Sequence, residues 1–282
     1  SDNTAADGAA QTEEERDFIA EAESGPRSPE NRIVVAVITG LCVAWSLFQL
    51  FIAEVPVESR FARSWHLGFA LALVFLTFPA YDYRNPALWA RTLHRVFPFL
   101  RPKRSNRTFV PITDMILAVV AAGSSLFFVV YQDDLQAMGG LGGTREVIVG
   151  TVLIVLLLEA ARRALGVALS AICIVFIIYA FMGSESWVPD ILRYRGTTYE
   201  FFIFEMYLTD TSIFGVPLGV STSFVFLFVL FGSLLDRAGA GKYFIDVAFS
   251  GLGHKIGGPA KAAVVASGLS GLVSGSSIAN VV

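Results

Sequence analysis

The stretch IVVAVITGLCVAWSLFQLFIA (residues 33–53) decides the fold, because none of its 21 residues is charged. A helix rises about 1.5 Å per residue, so about 20 apolar residues cross the roughly 30 Å hydrocarbon layer of a membrane. Backbone amides in that layer have no water to bind, which favours a helix over a strand. The stretch therefore predicts a membrane-spanning helix.

The composition of the whole chain agrees with this interpretation. Of its 282 residues, 54% are hydrophobic and only 16% are charged, whereas an ordinary soluble domain has about 45–50% apolar and about 25% charged residues. Five further apolar stretches follow the first: residues 65–81, 112–131, 147–158, 164–183 and 213–235. The sequence therefore predicts an all-α polytopic membrane protein with about six transmembrane helices.

The first 32 residues differ from the rest of the chain. They contain nine acidic and three basic side chains, together with Pro26 and Pro29. Such a stretch buries too little apolar surface to order itself, so we expect residues 1–32 to form a disordered acidic tail, with a partner-binding peptide as the alternative. A cleavable secretory signal would place a short basic segment directly before the apolar run. Residues 33–53 are therefore expected to be an uncleaved anchor.

The distribution of basic residues predicts the orientation of the chain. Residues 82–111 contain seven bases against one acid, Asp82, and the positive-inside rule places such a loop in the cytoplasm. The N-terminus then also faces the cytoplasm, and we expect a multi-pass protein of the cell membrane, inner or plasma. The long outer segment, residues 184–212, is acidic and rich in aromatic side chains, which suits a helix at the membrane interface or a docking surface.

The sequence lacks the patterns of catalytic and nucleotide-binding sites. Gly239-Ala-Gly-Lys242 has neither the glycine five positions before its last glycine nor the Ser or Thr after its lysine that a phosphate-binding loop needs. Cys42 and Cys173 lie inside apolar stretches and match no disulfide or metal pattern. We therefore expect no enzyme activity, no covalently bound cofactor and no nucleic-acid partner.

Charged side chains lie near the ends of the predicted spans. Asp114 is near one end of the third span. Glu159 can pair with Arg162 and Arg163, which follow it by three and four residues on one helix face. Since ionisable groups at mid-membrane would mark proton relays, an ion-coupled protein of this sequence would bind its ion through neutral oxygens. That condition favours sodium over protons.

Neutral oxygens are concentrated near the end of the chain. Ser274, Gly275, Ser276 and Ser277 follow one another where a helix readily breaks. Broken helices in transporters expose carbonyl groups that hold cations. Hydroxyl and carbonyl oxygens are the hard ligands that a small cation prefers. The cluster is therefore a candidate cation site.

A stripe of small residues leads into this cluster. Ser267, Gly271 and Gly275 recur at intervals of four residues. This spacing permits close contact between two helices. The alternative to a cation site is therefore a Gly/Ser-rich packing face on an unbroken span.

Several stretches carry a family resemblance: LLLEAARRALG (156–166), FGVPLGVS (214–221), FVFLFVLFG (224–232), GGPAK (257–261) and ASGLSGLVSGSSIANVV (266–282). Together they resemble the fused permease of TRAP transporters, and more narrowly its TAXI-type subgroup. The similarity runs from about residue 33 to the last residue, and the final stretch is its most specific part. It implies a small four-helix membrane module in residues 33–163 and the N-terminal part of a large permease module in residues 164–282.

The resemblance also implies a function and partners. The chain would be the membrane permease component of a binding-protein-dependent, ion-gradient-driven secondary transporter for small organic anions such as carboxylates. Na+ would be the coupling ion. Its partners would be an extracytoplasmic solute-binding protein, membrane lipid and the anion itself. The alternative is a non-transporting membrane scaffold or assembly subunit.

The resemblance finally implies a location for the site. Residues 259–273 would be the entering limb of a re-entrant helical hairpin, residues 274–277 its tip, and residues 278–282 the start of its returning limb. The tip residues Ser274, Gly275, Ser276 and Ser277 would form the sodium site, and Ser277 and Asn280 would contact the substrate. A chain that ended inside this hairpin would be a truncated permease, an inactive fragment on its own.

Overall fold

A computed structural model of the protein describes residues 27–80, 108–131, 143–186, 188–254 and 256–273. None of these residues lies in a strand, and the prediction of an all-α protein is confirmed for them. The helices are α1 (Arg32–Glu54), α2 (Ser59–Thr77), α3 (Ile112–Val130), α4 (Thr144–Leu165), α5 (Val167–Met182), α6 (Tyr199–Ile203), α7 (Val216–Val220), α8 (Phe226–Arg237), α9 (Ala240–Leu252) and α10 (Gly258–Val273). Two π-helical segments, Phe204–Leu208 and Ser221–Val225, follow α6 and α7.

Fewer of the described helices than predicted have the length and hydropathy of a membrane-crossing helix. Among the described residues, two helices are long and apolar enough to cross a membrane, α1 and the continuous helix Val216–Leu235. The expectation of about six crossings is therefore corrected to two helices that meet this requirement. All six predicted apolar stretches nevertheless fall on helices.

The other four helices fall short for identifiable reasons. Helix α5 has 16 residues, and the part of α3 whose side chains are all described, Ile112–Phe127, is equally short, although α3 as a whole has 19 residues. Helix α2 carries two arginines in its first five residues. Helix α4 carries charged side chains in its first turn and near its last turn.

The described residues between 27 and 219 form one compact unit, whose core lies between α2, α3 and α4. Phe75 of α2 and Leu153 of α4 are fully buried there. A Cβ atom added to Gly68 of α2 would lie 3.7 Å from the carbonyl oxygen of Ala122 in α3. The two helices therefore approach closely, as small residues permit.

The boundaries of two helices follow from local chemistry. The side chain of Asn31 accepts a hydrogen bond of 2.9 Å from the backbone N–H of Ile33, which caps the start of α1. Gly166 has φ of +92°, a conformation that glycine adopts readily. It separates α4 from α5, and the Ser170 hydroxyl then donates to the Leu158 carbonyl at 3.0 Å.

The predicted interfacial segment packs partly inside this unit. Tyr207, in the first π-helical segment, is fully buried, and its hydroxyl donates to the Ser124 carbonyl of α3 at 2.8 Å. A Cβ atom added to Gly150 of α4 would lie 2.7 Å from Cγ2 of Ile203 and 3.0 Å from Cδ1 of Tyr207. Only glycine therefore fits at position 150 without movement of its neighbours.

This close approach gives a first prediction. We expect Gly150→Ala to lower the free energy of unfolding by about 1–3 kcal/mol, because the added methyl group overpacks the contact with Ile203 and Tyr207. Thermal unfolding in detergent measures the change. Gly40→Ala in α1 is the matched control, since no atom lies within 4 Å of an added Cβ there. Equal melting temperatures for the two variants would contradict the prediction.

A second compact unit includes residues 220–282, of which the structure describes those up to 273 apart from 255. Gly239 has φ of +90° and precedes α9, and Gly257 has φ of +71° and precedes α10. Helices α9 and α10 pack against each other through Ala248, Ala262 and Ala266. All three are alanines, so the two helix backbones lie close together.

Candidate functional site

Helix α10 leads directly to the predicted ion and substrate site. It starts at the GGPAK motif, where Gly257 provides the turn and Pro259 lies in the first helical turn, a position that proline tolerates. The Lys261 ammonium donates to the Ile256 carbonyl at 3.1 Å. The motif therefore forms the entry to α10.

The buried face of α10 differs from the predicted stripe of small residues. Ala262 and Ala266, four residues apart, are buried against α9. Ser267 and Gly271 are exposed. The expected close contact between helices is thus made, within the described residues, by a neighbouring alanine stripe, because the helix is rotated to bury the less polar side chains.

The residues predicted to form the site lie outside the described residues. They are Ser274, Gly275, Ser276, Ser277 and Asn280. The sodium and substrate sites therefore remain predictions. Among the described residues, no group of three or more His, Cys, Asp or Glu side chains could hold a metal ion.

A π-helical segment, Ser221–Val225, interrupts the long apolar helix Val216–Leu235. It contains the consecutive hydroxyl residues Ser221, Thr222 and Ser223, of which Thr222 is buried. Segments of this kind occur frequently at functional sites. The sequence analysis missed it, although three hydroxyl residues in a row within an apolar stretch were visible as a signal.

A buried ionic network lies at the other end of α2 from its arginines. Asp114, in the first turn of α3, binds Arg27 through Oδ2 and Arg163 through Oδ1, the latter at 3.0 Å. Arg163 continues to Glu159 at 2.8 Å, and Arg162 binds the same carboxylate at 2.7 Å. The predicted Glu159 cluster is therefore confirmed, and it is one half of a larger network.

The network also binds backbone carbonyls at and beyond the end of α2. Arg27 donates to the carbonyls of Phe75 and Leu76, and Arg163 lies 4.8 Å from the centroid of the Phe75 ring. Arg162 donates to the Ala80 carbonyl at 2.7 Å. The last carbonyls of a helix have no partner within it and carry partial negative charge. Arginine side chains are therefore suited to this position.

Neighbouring arginines favour the charged form of Glu159. Burial acts to raise the pKa of the Glu159 carboxyl, but hydrogen bonds and positive charge from Arg162 and Arg163 outweigh it and lower that pKa. Asp114 gains further stabilisation from its place at the N-terminus of α3. Both carboxylates are thus arranged to accept hydrogen bonds from guanidinium groups.

The position of Arg27 differs from the predicted solvated tail. Its side chain is 1% exposed, and the backbone N–H of Glu30 donates to the Thr108 carbonyl at 3.2 Å. The sequence carried no signal for this, because Arg27 and Asp114 are 87 residues apart. The polar composition of residues 1–32 predicts exposed side chains throughout, whereas the Arg27 side chain is buried.

A second polar cluster joins α1 to α2. His66, in the first half of α2, is buried. Its Nδ1 accepts from Trp45 Nε1–H at 3.2 Å and also contacts the amide of Gln49, which is fully buried. On the neighbouring face, the Ser125 hydroxyl donates to the Ser64 carbonyl at 2.9 Å. These contacts fix the packing of α1 and α3 on α2.

The exposed faces of the helices define the class of protein. Large apolar side chains cover much of the surface of α5, where Val175 and Phe176 are more than 60% exposed. Soluble proteins rarely expose apolar patches of this extent. With the two helices long enough to cross a membrane, the faces indicate a helical membrane protein.

Comparison with known families gives a more specific result. Residues 152–282, a little under half of the chain, match the family described as "Tripartite ATP-independent periplasmic transporter, DctM component". This part of the chain is thus similar to the membrane component of a TRAP transporter, which is a transporter family and not an enzyme family. No curated protein and no solved structure matches the chain.

Proposed function

We propose that the chain is the membrane permease component of a binding-protein-dependent, ion-gradient-driven secondary transporter for small organic anions such as carboxylates. The observation that carries this proposal is the match of residues 152–282 to the DctM component family. The matched region includes α10 and the Gly/Ser-rich cluster that follows it. The words "tripartite" and "periplasmic" in the family description support an extracytoplasmic solute-binding protein as the partner.

The proposal extends to the organisation of the chain. Residues 33–163 would be a small membrane module fused to a large permease module that starts near residue 164, as in TAXI-type fused permeases. The N-terminus would be cytoplasmic, in accord with the seven bases of residues 82–111. Helices α2 to α5, like α1 and the helix Val216–Leu235, would lie in the membrane, and the charged ends of α2 and α4 would lie at its surfaces.

Sodium is the proposed coupling ion. The charged groups of the described network are engaged with one another and with backbone carbonyls near the ends of helices. Hydroxyl and backbone carbonyl oxygens are therefore the proposed ion ligands. They are concentrated in the cluster Ser274, Gly275, Ser276 and Ser277. Ser277 and Asn280 are the proposed substrate contacts.

Uptake by reconstituted protein tests the proposed function. The complete permease is placed in liposomes with its solute-binding protein and a labelled carboxylate, with and without an inward sodium gradient. We expect accumulation only when both the gradient and the binding protein are present. Accumulation without the binding protein would contradict the tripartite mechanism. The absence of accumulation under every condition would favour the non-transporting scaffold.

A further inference from the structure

Arg27 is buried although it belongs to no helix. It lies in residues 27–31, an extended segment before α1 that we call the N-terminal strap. Its guanidinium donates to the Phe75 carbonyl at 3.2 Å, to the Leu76 carbonyl at 3.3 Å and to Oδ2 of Asp114. One side chain thus joins the strap to α2 and α3.

The network contains one more positive than negative group, and Arg27 is the positive group that it can lose. Within the described residues, three guanidinium groups, Arg27, Arg162 and Arg163, share the two carboxylates Asp114 and Glu159. Arg163 binds both carboxylates and would keep them paired without Arg27. Departure of Arg27 would therefore leave two positive and two negative groups in contact, with no buried charge unpaired.

The docking of Arg27 is also incomplete. Its Nε atom is buried and has no hydrogen-bond partner among the described residues. A buried donor without a partner opposes burial, because it gives up its hydrogen bond to water. The docked position is therefore favoured by the bonds to Asp114 and the two carbonyls, and opposed by this unsatisfied N–H.

The strap touches both ends of the α2–α3 connection. The Glu30 N–H donates to the Thr108 carbonyl, just before α3. Arg27 and Arg162 bind carbonyls between Phe75 and Ala80, at the end of α2. Release of the strap would therefore remove its own contacts with these two chain ends, while Arg162 and Arg163 continue to bind carbonyls at the end of α2.

We propose that the N-terminal strap is a releasable clamp, held on the helix bundle by the Arg27–Asp114 pair and able to undock while Arg163 keeps Asp114 paired. Undocking returns the Phe75 and Leu76 carbonyls to water, where they regain hydrogen bonds. The strap is then a conformational device that connects the acidic N-terminal residues to the packing of α2 and α3. It does not depend on the proposed transport activity.

Limited digestion of the full chain with trypsin in detergent tests the clamp. The measured quantity is the rate of cleavage of the Arg27–Ser28 bond, followed by mass spectrometry of the released peptide. We expect slow cleavage in the wild type and at least about tenfold faster cleavage in Asp114→Asn, because loss of a charge-assisted hydrogen bond of about 1.4 kcal/mol or more shifts the equilibrium tenfold. Asp210→Asn, which removes the exposed partner of Arg60, is the control and should match the wild type.

A second variant, Arg27→Lys, tests the clamp by the same digestion if Asp114→Asn fails to fold. Lysine retains the trypsin site and the positive charge, but its single ammonium lacks the planar fork that reaches two carbonyls and a carboxylate together. We expect faster cleavage at residue 27 in this variant as well, with an unchanged elution volume in size-exclusion chromatography. Cleavage of folded Arg27→Lys at the wild-type rate would overturn the proposal, and so would a wild type that is cleaved at residue 27 as fast as Asp114→Asn.

Discussion

Replacement of both Ser276 and Ser277 by Ala in the complete permease should raise the sodium concentration at half-maximal uptake by about 100-fold or more. Each substitution removes a hydroxyl oxygen from the proposed ion site, and a hydrogen-bond-like contact with a charged group contributes about 1.5–3 kcal/mol. A tenfold change in affinity corresponds to about 1.4 kcal/mol. The sodium concentration at half-maximal uptake, measured at saturating substrate, is the test.

A matched control separates this effect from a general loss of hydroxyl groups. The Ser233 hydroxyl of α8 donates to the Leu230 carbonyl of its own helix at 2.8 Å. Ser233→Ala should therefore leave the sodium titration unchanged. An unchanged titration in the double variant Ser276→Ala, Ser277→Ala would remove both residues from the site and favour a Gly/Ser-rich packing face.

Asp114→Ala should destabilise the folded protein by about 3–5 kcal/mol, the largest stability effect that we expect. In the docked conformation the substitution leaves Arg27 without a carboxylate and Arg163 with Glu159 alone, and removal of one partner from a buried pair has a cost of this size. Arg27 and Arg163 are 1% and 3% exposed, so water reaches Arg27 only when the strap leaves the helix bundle. Thermal or denaturant-induced unfolding in detergent measures the effect.

The exposed pair Arg60–Asp210 provides the comparison. Its atoms are 2.7 Å apart, but the two side chains are 32% and 47% exposed. Exposed pairs contribute about 0–1 kcal/mol, so Asp210→Ala should change stability by no more than that. If Asp114→Ala and Asp210→Ala had equal effects, the network at the end of α2 would not be the determinant of stability described here.

The sequence predicted the helices and the local ion pairs correctly because both depend on neighbours along the chain. Apolar stretches locate helices, and Glu159 meets Arg162 and Arg163 through the geometry of one helix. Asp114 appeared only as a residue near a span end. Its binding to Arg27 depends on how α2, α3 and the strap fold together, and no spacing in the sequence encodes that contact.

Other features depended on packing in the same way. His66 lies near the start of an apolar stretch, where the sequence does not show whether its ring is buried. It is buried because Trp45 and Gln49 of α1 bind its ring. The sequence does not distinguish the alanine stripe of α10, Ala262 and Ala266, from the Ser/Gly stripe next to it, because both recur at an interval of four residues. The side of a helix that is buried is set by its neighbour, here α9.

The close contact at Gly150 has a consequence for how this polypeptide could be divided. Residues 199–208 come after the proposed module boundary near residue 164, yet Ile203 and Tyr207 contact Gly150, and the Tyr207 hydroxyl donates to the Ser124 carbonyl. Gly150 and Ser124 both come before that boundary. Two separately expressed pieces cut at that boundary would each lack part of a shared hydrophobic core. They would have to fold on one another, as halves of a single body, to recover the native packing.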